Sequence, residues 1–362
     1  MTRQSIAPGI HQLQPYVPGK PLDELERELG IRDAIKLASN ENPLGPAPSV
    51  RQALSAAGGE LARYPDGSGH ALRTALAEHH QIAADWITLG NGSNDVLDMI
   101  ARVFLYPGRE SVFSAHAFAV YRLSSQAVGA DLKVAEATDY GHDLNKLYQQ
   151  ITPQTGVVWI ANPNNPTGTW LARDPLYDFI RSVPQHVMIV LDEAYIDYIN
   201  HPDYPDGTQW LADHPNLIVT RTFSKAYGLA ALRVGYALAH PEVTDLLNRV
   251  RQPFNVNSLA QAAALAALQD QAHIVHSADL NRVGLQQLAA GFKQMGLSYI
   301  PSVGNFITVL SDRPAAETDA ALLRQGVITR PVENYGLPGG LRISVGLPEE
   351  NTRCLQALQQ VI

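Results

Sequence analysis

Four segments of the sequence combine residue types able to hold a small anionic ligand and to offer it a reactive amine. The first, Gly90-Asn91-Gly92-Ser93-Asn94-Asp95, follows the apolar run Trp86–Leu89 and opens a helical stretch. Small residues with free backbone N–H groups at a helix start make an anion seat, although a plain Ser/Asn helix cap uses the same residues. The second, Asn162-Pro163-Asn164-Asn165-Pro166-Thr167-Gly168, follows Val157–Ala161. Two prolines and a glycine fix its backbone, so its amides are held rigidly and can donate to a ligand oxygen; a tight turn has the same composition. In the third, Asp192, Glu193, Ala194 and Tyr195 close the run Val187–Leu191. A carboxylate at the end of a buried strand is costly unless it meets a cation, be it a ligand or a structural ion pair. The fourth, Arg221 to Gly235, follows Leu217–Thr220 and carries Lys225 in a stretch rich in Ala, Gly and Leu. A desolvated lysine loses its proton more readily, as an amine that attacks a carbonyl must. Thr222, Ser224 and Arg233 offer a second anion site beside it.

Each segment alone has an ordinary structural explanation, and Lys225 by itself reads as a surface lysine on a loop. Together, in this order and all at strand ends, they match one ligand, pyridoxal phosphate. Its aldehyde requires the lysine, and its ring nitrogen requires an anion that keeps it protonated as an electron sink. Its phenolic oxygen requires donors, and its phosphate requires amides, hydroxyls and an arginine.

The elements that must position these groups are legible as a rhythm. Apolar runs at Trp86–Leu89, Ser111–Phe113, Leu132–Val134, Val157–Ala161, Val187–Leu191, Leu217–Thr220 and Val234–Ala239 alternate with helical stretches such as Asn94–Leu105, Phe118–Val128 and Pro175–Ser182. Several runs are apolar throughout, which suits parallel strands covered on both faces. The pattern predicts an α/β domain with an open, mostly parallel sheet, whose ligands lie at the C-terminal strand ends. Residues 1–45 carry Pro8, Pro15, Pro18, Pro21, Pro43 and one short helical stretch, Leu22–Leu29, and read as a packing arm. Helical stretches at Glu242–Arg251, Leu259–Gln269 and Ile274–Met295, then strands at Asn305–Leu310, Val327–Arg330 and Leu341–Val345, predict a small α+β domain. The expected division is an arm at 1–45, a large ligand-binding domain at 46–250 and a small domain at 251–362.

Composition narrows the function classes. With 362 residues, 45% hydrophobic and 17% charged, the chain is long enough for one large core and a smaller one. Lys+Arg 27 against Asp+Glu 35 gives net charge −8, without a basic block, which argues against nucleic acid or anionic membrane as a partner. The single cysteine, Cys354, excludes an intrachain disulfide and a multi-cysteine metal site. No run of 18 apolar residues occurs and the N-terminus has no apolar signal core, so a cytoplasmic protein is expected by default. MIVLDEA (188–194) has the look of half a nucleotide-triphosphatase signature, but the phosphate loop is missing. G-x-G-x-x-G, G-x-S-x-G and H-E-x-x-H are missing as well. The close pairs His79–His80 and His273/His276 read as solvated helix residues.

The segments ASNENPLGP (38–46), RYPDG (63–67), NPNNPTG (162–168), VLDEAY (190–195), TRTFSKAYGLAALRVGY (220–236) and GLRISVG (340–346) carry a resemblance over nearly the whole chain. The sequence resembles the fold-type I pyridoxal-phosphate-dependent aminotransferases and, within them, the histidinol-phosphate aminotransferase family. The resemblance implies that Lys225 bonds the cofactor aldehyde and moves the substrate proton. It implies that Asp192 partners the pyridine nitrogen and that Tyr195 and Asn165 donate to the phenolic oxygen. Ser93, Asn94, Thr222, Ser224 and Arg233 resemble the phosphate shell. Phe118 falls where the family stacks an aromatic ring, commonly tyrosine, on the cofactor; losing the hydroxyl keeps the stacking. Tyr64 resembles the residue that reaches the neighbouring subunit's cofactor phosphate, which implies a homodimer with a shared site.

For substrates, Arg342 takes the position that binds the α-carboxylate in relatives, and Arg330 is an additional family-typical arginine. Two guanidinium groups suit a phosphate ester. Tyr16 matches a position near the substrate phosphate, and Asn42 with Glu41 is expected to line the same mouth. The implied reaction is amino transfer from L-histidinol phosphate to 2-oxoglutarate, giving imidazole-acetol phosphate and glutamate. An aromatic amino-acid aminotransferase, a threonine-phosphate decarboxylase and a non-catalytic cofactor-binding regulatory module are the alternatives.

Overall fold

Seven of the apolar runs form one sheet. The structure, a computed structural model, describes residue 6, residues 9–16 and residues 18–362. Pro8 of the arm lies outside the described residues. The first half of the chain contributes α1 (Leu22–Leu29), β1 (Ile35–Lys36), α2 (Pro48–Ala57), α3 (His70–His80), β2 (Ile87–Gly90), α4 (Ser93–Phe104), β3 (Glu110–Ser114), α5 (Ala119–Ala127), β4 (Asp131–Ala135), α6 (Leu144–Gln149), β5 (Thr155–Ala161) and α7 (Arg173–Ser182). Then come β6 (Met188–Asp192), β7 (Leu217–Thr222), β8 (Gly235–Ala239), α8 (Pro241–Val250), α9 (Ser258–Gln269) and α10 (Gln271–Gln294). The chain ends with β9 (Ser298–Ile300), β10 (Phe306–Leu310), α11 (Ala315–Arg324), β11 (Val327–Ile328), β12 (Arg330–Pro331), β13 (Gly340–Ser344) and α12 (Pro348–Val361).

The large sheet has the order β2-β8-β7-β6-β5-β3-β4. β8 pairs antiparallel with both β2 and β7, while the pairs from β7 to β4 are parallel. All seven residues of β5 are buried because helices cover both faces. Val158 and Ile160 point into the core that holds Leu72 and Leu76 of α3, Phe179 of α7 and the alanines of α9. Val157 and Trp159 point into the opposite core with Leu97 and Ile100 of α4 and Leu247 of α8. A four-stranded antiparallel sheet, β12-β13-β10-β9, packs its Ile307, Val309 and Ile343 against Phe292 of α10 and Leu358 of α12.

Three details differ from the sequence reading. The expected strand Val327–Arg330 is two strands: β11 pairs with β1, and β12 pairs with β13. The chain crosses between sheets at Thr329, and Pro331, which lacks an N–H, sits on the edge strand where none is needed. His80 is not a solvated helix residue: its Nε2 lies 2.9 Å from the Tyr236 hydroxyl, and burial lowers its pKa to about 3. His273 is half-buried, with Nε2 3.0 Å from the carbonyl of Gly45, whereas His276 is exposed.

Candidate active site

β5, β6 and β7 end side by side, and their C-terminal residues converge on a cavity of about 320 Å³. It is lined by Ser93, Asn94, Phe118, Asn165, Asp192, Tyr195, Thr222, Ser224, Lys225, Arg233, Arg342 and Tyr16, among others. Twelve of the residues singled out from sequence are thus brought together by the fold.

Lys225 follows β7 in the turn that starts at Phe223, whose N–H and C=O bond Val234 and Leu229. The lysine Nζ donates to the carbonyl of Ser39 at 3.2 Å and lies 5.6 Å from the centre of the Tyr195 ring. Burial pushes its pKa down to about 7, with Arg342 and Arg233 adding to the effect and Glu41 and Asp192 opposing it. A neutral amine, the nucleophilic form, is therefore populated near neutral pH.

Asp192 ends β6 and is almost fully buried. It accepts from the Tyr121 hydroxyl at 2.8 Å and from Thr220 Oγ1 at 3.1 Å. Burial raises its pKa, and these donors act against that rise. No cation is within ion-pair distance of this carboxylate among the described residues. A cationic group on a ligand bound there would supply the missing countercharge.

Asn165 and Tyr195 line the same cavity. Asn165 Oδ1 accepts from Arg342 Nη1 at 2.6 Å, which fixes the flip of the amide and leaves the NH2 as the end available to a ligand oxygen. The loop carrying Asn165 is tied to the small sheet by Thr308 Oγ1, which donates to the carbonyl of Pro166 at 2.6 Å. The Tyr195 hydroxyl accepts from Asn40 Nδ2 at 3.0 Å. Burial pushes the Tyr195 pKa up to about 12, with Arg342 opposing, so the hydroxyl keeps its proton and can donate.

The phosphate seat opens at the N-terminus of α4, where Ser93 and Asn94 begin the helix with unpaired backbone N–H groups. Gly92 adopts φ 82, and a Cβ there would run into the Arg233 guanidinium. Only glycine lets that arginine close over the seat. Arg233 Nη1 donates to Ser224 Oγ at 3.3 Å, and Thr222 Oγ1 accepts from the Ser224 N–H at 3.1 Å. Two hydroxyls, a guanidinium and a helix start therefore face the same corner.

Four expected residues fall outside this cavity, among them Glu41, whose Oε1 pairs with Lys36 Nζ at 2.9 Å. Asn42 does not line it: its Nδ2 donates to the carbonyl of Ala226 at 2.8 Å and to Ser277 Oγ at 2.9 Å. These two bonds fasten the arm to the lysine turn and to α10, and the neighbouring Asn40 and Ser39 face the cavity instead. Arg330 lines an adjoining cleft, with its guanidinium 5.5 Å above the ring of Tyr16, a residue that borders both spaces. Tyr64 is 82% exposed and stacks on Phe254, with ring centroids 4.7 Å apart. It does not line the cavity.

Tyr121 and Thr220, the two donors to Asp192, were not singled out from the sequence. The signal for Tyr121 was its place one helical turn after Phe118, which turns both rings to one face. Thr220 carried no sequence signal beyond its strand.

The residues fit pyridoxal phosphate. Arg342 Nε is buried without a hydrogen-bond partner in the protein, Asp192 is a buried carboxyl with no ion-pair partner and a raised pKa, and the lysine pKa is depressed to about 7. Each of these deficits is one that an anionic, cationic-ring aldehyde removes.

Comparison with known proteins agrees. The family described as aminotransferase class I and II matches residues 32–358. The chain is 58% identical over 357 residues to histidinol-phosphate aminotransferase 2 of Pseudomonas fluorescens, covering 98% of this chain and 96% of the relative. It is also 58% identical to histidinol-phosphate aminotransferase 2 of Pseudomonas aeruginosa, covering 98% and 97%. Among solved structures, histidinol-phosphate aminotransferase from Sinorhizobium meliloti in complex with pyridoxal-5'-phosphate superposes with TM-score 0.91 at 30% identity, covering 99% of this chain and 98% of that one.

Proposed function

Because this chain belongs to the class I and II aminotransferases, and within them to the histidinol-phosphate aminotransferases, we propose that it transfers the amino group of L-histidinol phosphate to 2-oxoglutarate. The products are imidazole-acetol phosphate and glutamate. The observation that carries this reading is the convergence of the Lys225 amine, the Asp192 carboxylate and the Arg342 guanidinium on one cavity.

Pyridoxal phosphate, held here, supplies an aldehyde that accepts the amino group and a ring that takes up the electrons of the Cα–H bond. Asp192, braced by Tyr121 and Thr220, would partner the ring nitrogen and keep it protonated. Tyr195 and Asn165 donate to the phenolic oxygen. Ser93, Asn94, Thr222, Ser224 and Arg233 hold the phosphate, and Phe118 stacks on the ring. The Lys225 amine, with its pKa depressed to about 7, would be the group that takes up the proton leaving substrate Cα. Arg342 binds the carboxylate of glutamate or 2-oxoglutarate through a guanidinium fork. Arg330 and Tyr16 receive the phosphate of the other substrate.

Tyr64, exposed on its own subunit, reaches the cofactor phosphate of a partner subunit in a homodimer. No helix among the described residues is long and apolar enough to cross a membrane, and we place the enzyme in the cytoplasm. The arm, the domain around the large sheet and the domain around the four-stranded sheet form its three working parts. The test is amino-donor profiling of the purified protein with 2-oxoglutarate. Histidinol phosphate should be turned over well ahead of phenylalanine, without release of carbon dioxide from threonine phosphate. Equal turnover of phenylalanine would instead favour the aromatic aminotransferase reading.

A further inference from the structure

Outside Tyr16 lies a second, larger space of about 920 Å³, bounded by the arm, the end of β3, α5 and the small domain. Its charged lining residues are Lys20, Glu24, His116, Arg122, Asp319 and Arg330. Four of these six are committed elsewhere. Lys20 pairs with Glu24 at 3.2 Å and with Glu28 at 2.6 Å. Asp319 accepts from Thr329 Oγ1 at 2.7 Å, and His116 directs Nδ1 to the carbonyl of Tyr335 at 2.6 Å.

The two arginines are different. Arg122 is exposed on α5, and its one contact is a cation–π approach of 5.5 Å to the ring of Phe113. Arg330 is buried beside Tyr16 in the same way. Among the described residues, neither has a carboxylate within ion-pair distance. Ser114, at the end of β3, borders the same space with a buried Oγ that has no hydrogen-bond partner. A chain of net charge −8 thus keeps two guanidinium groups without an ion-pair partner along one vestibule, where the nearby Asp319 carboxyl, held by Thr329, feels Arg330. Such an arrangement concentrates a dianion at the mouth of the site before it passes inward.

We propose that this vestibule is an outer capture site for the phosphate of the phosphomonoester substrate, with Arg122 as its outermost contact and Arg330 as the group to which it hands the phosphate on. The inference rests on the phosphorylated amine being the substrate. Arg122 acts before the chemistry: it raises the rate at which a dianion enters and lets go once Arg330 takes over. Its contribution therefore lies in kcat/KM and in the salt dependence, with little in kcat.

The experiment compares wild type, Arg122→Gln and Arg122→Lys as full-length holoenzymes, with histidinol phosphate and unphosphorylated histidinol as donors at low and high salt. Inorganic phosphate serves as a competing probe. For Arg122→Gln, kcat/KM for histidinol phosphate should fall about three- to tenfold at low salt. Its kcat should change by less than about twofold, its salt dependence should flatten, and inhibition by inorganic phosphate should weaken. Arg122→Lys should restore most of the loss, because a point charge suffices for steering. An equal loss with histidinol, or an unaltered salt slope and phosphate inhibition, would overturn the capture site while leaving the activity itself intact. Failure of the wild type to prefer histidinol phosphate would show separately that the substrate reading, and this site with it, is wrong.

Discussion

The Tyr121 hydroxyl lies 2.8 Å from Asp192 Oδ2 and donates to it. Tyr121 is fully buried and stacked on Trp159 at 5.2 Å with an interplanar angle of 11°, so the donor cannot turn away. Burial and the neighbouring carboxylate raise the phenol pKa well above its ordinary value, which keeps the proton on Tyr121 and the charge on Asp192. A hydrogen bond to a charged acceptor contributes about 1.5–3 kcal/mol.

Tyr121→Phe removes that donor with little change of shape. Cofactor affinity should drop by about tenfold, as expected for a loss of about 1.4 kcal/mol, while the far-ultraviolet spectrum stays unchanged. Equilibrium dialysis of the cofactor measures this. An unaltered dissociation constant would remove Tyr121 from the positioning of Asp192.

Lys225→Ala should abolish amino transfer together with the absorption band of protein-bound cofactor, and borohydride should no longer fix the cofactor to the chain. In wild-type apoenzyme the lysine pKa is depressed to about 7. The neutral, nucleophilic amine gains population as pH rises through that value. Cofactor capture followed by stopped-flow absorbance should accelerate through about pH 7 and level off above it. Acceleration that continues to the ordinary lysine range would contradict the buried amine described here.

Tyr64→Phe tests the shared site. The side chain is 82% exposed and its ring contact with Phe254 survives the substitution, so subunit stability should hardly move. Cofactor release should nevertheless become several-fold faster, because one phosphate hydrogen bond of about 1 kcal/mol is lost. Release at the wild-type rate speaks against a contact across subunits.

His142 should make the protein acid-labile. Its Nε2 donates to the carbonyl of Ala161 at 2.9 Å, while Nδ1 is buried without a partner. Burial lowers its pKa from 6.5 to about 4. The unfolded chain binds this proton more readily than the folded one, so stability rises with pH across that window. The contribution is complete above about pH 6.5 and shrinks toward pH 4, by up to about 1.4 kcal/mol per pH unit. His80, with a pKa lowered to about 3, adds a loss of the same sign. Urea unfolding of His142→Gln should show a flatter decline between pH 6.5 and 4 than wild type. Parallel declines would assign the acid limb to other groups.

The seven strands of the large sheet were legible because each is an apolar run, and β5 is apolar at nearly every position. Their ends follow from the runs, so Asp192 and Lys225 were locatable without coordinates. The β11/β12 break was not legible, since residues 327–330 read as one strand and only the two separate pairings divide them. Asn42 misled for a related reason: an asparagine in a turn has no sequence mark of which way its amide faces. Its burial against Ala226 and Ser277, residues 184 and 235 positions away, was decided by packing.

The amino-acid order alone located the sheet, Lys225, Asp192 and the cluster of Ser93, Thr222, Ser224 and Arg233, because each depends on local pattern or on a residue type that few chemistries need. Tertiary structure alone decided that Tyr121 braces Asp192, that Arg342 sets the Asn165 amide and that Arg122 and Arg330 share one vestibule. Those relations join residues far apart in the chain, and hydrogen bonding and burial between them exist only once the layers have packed.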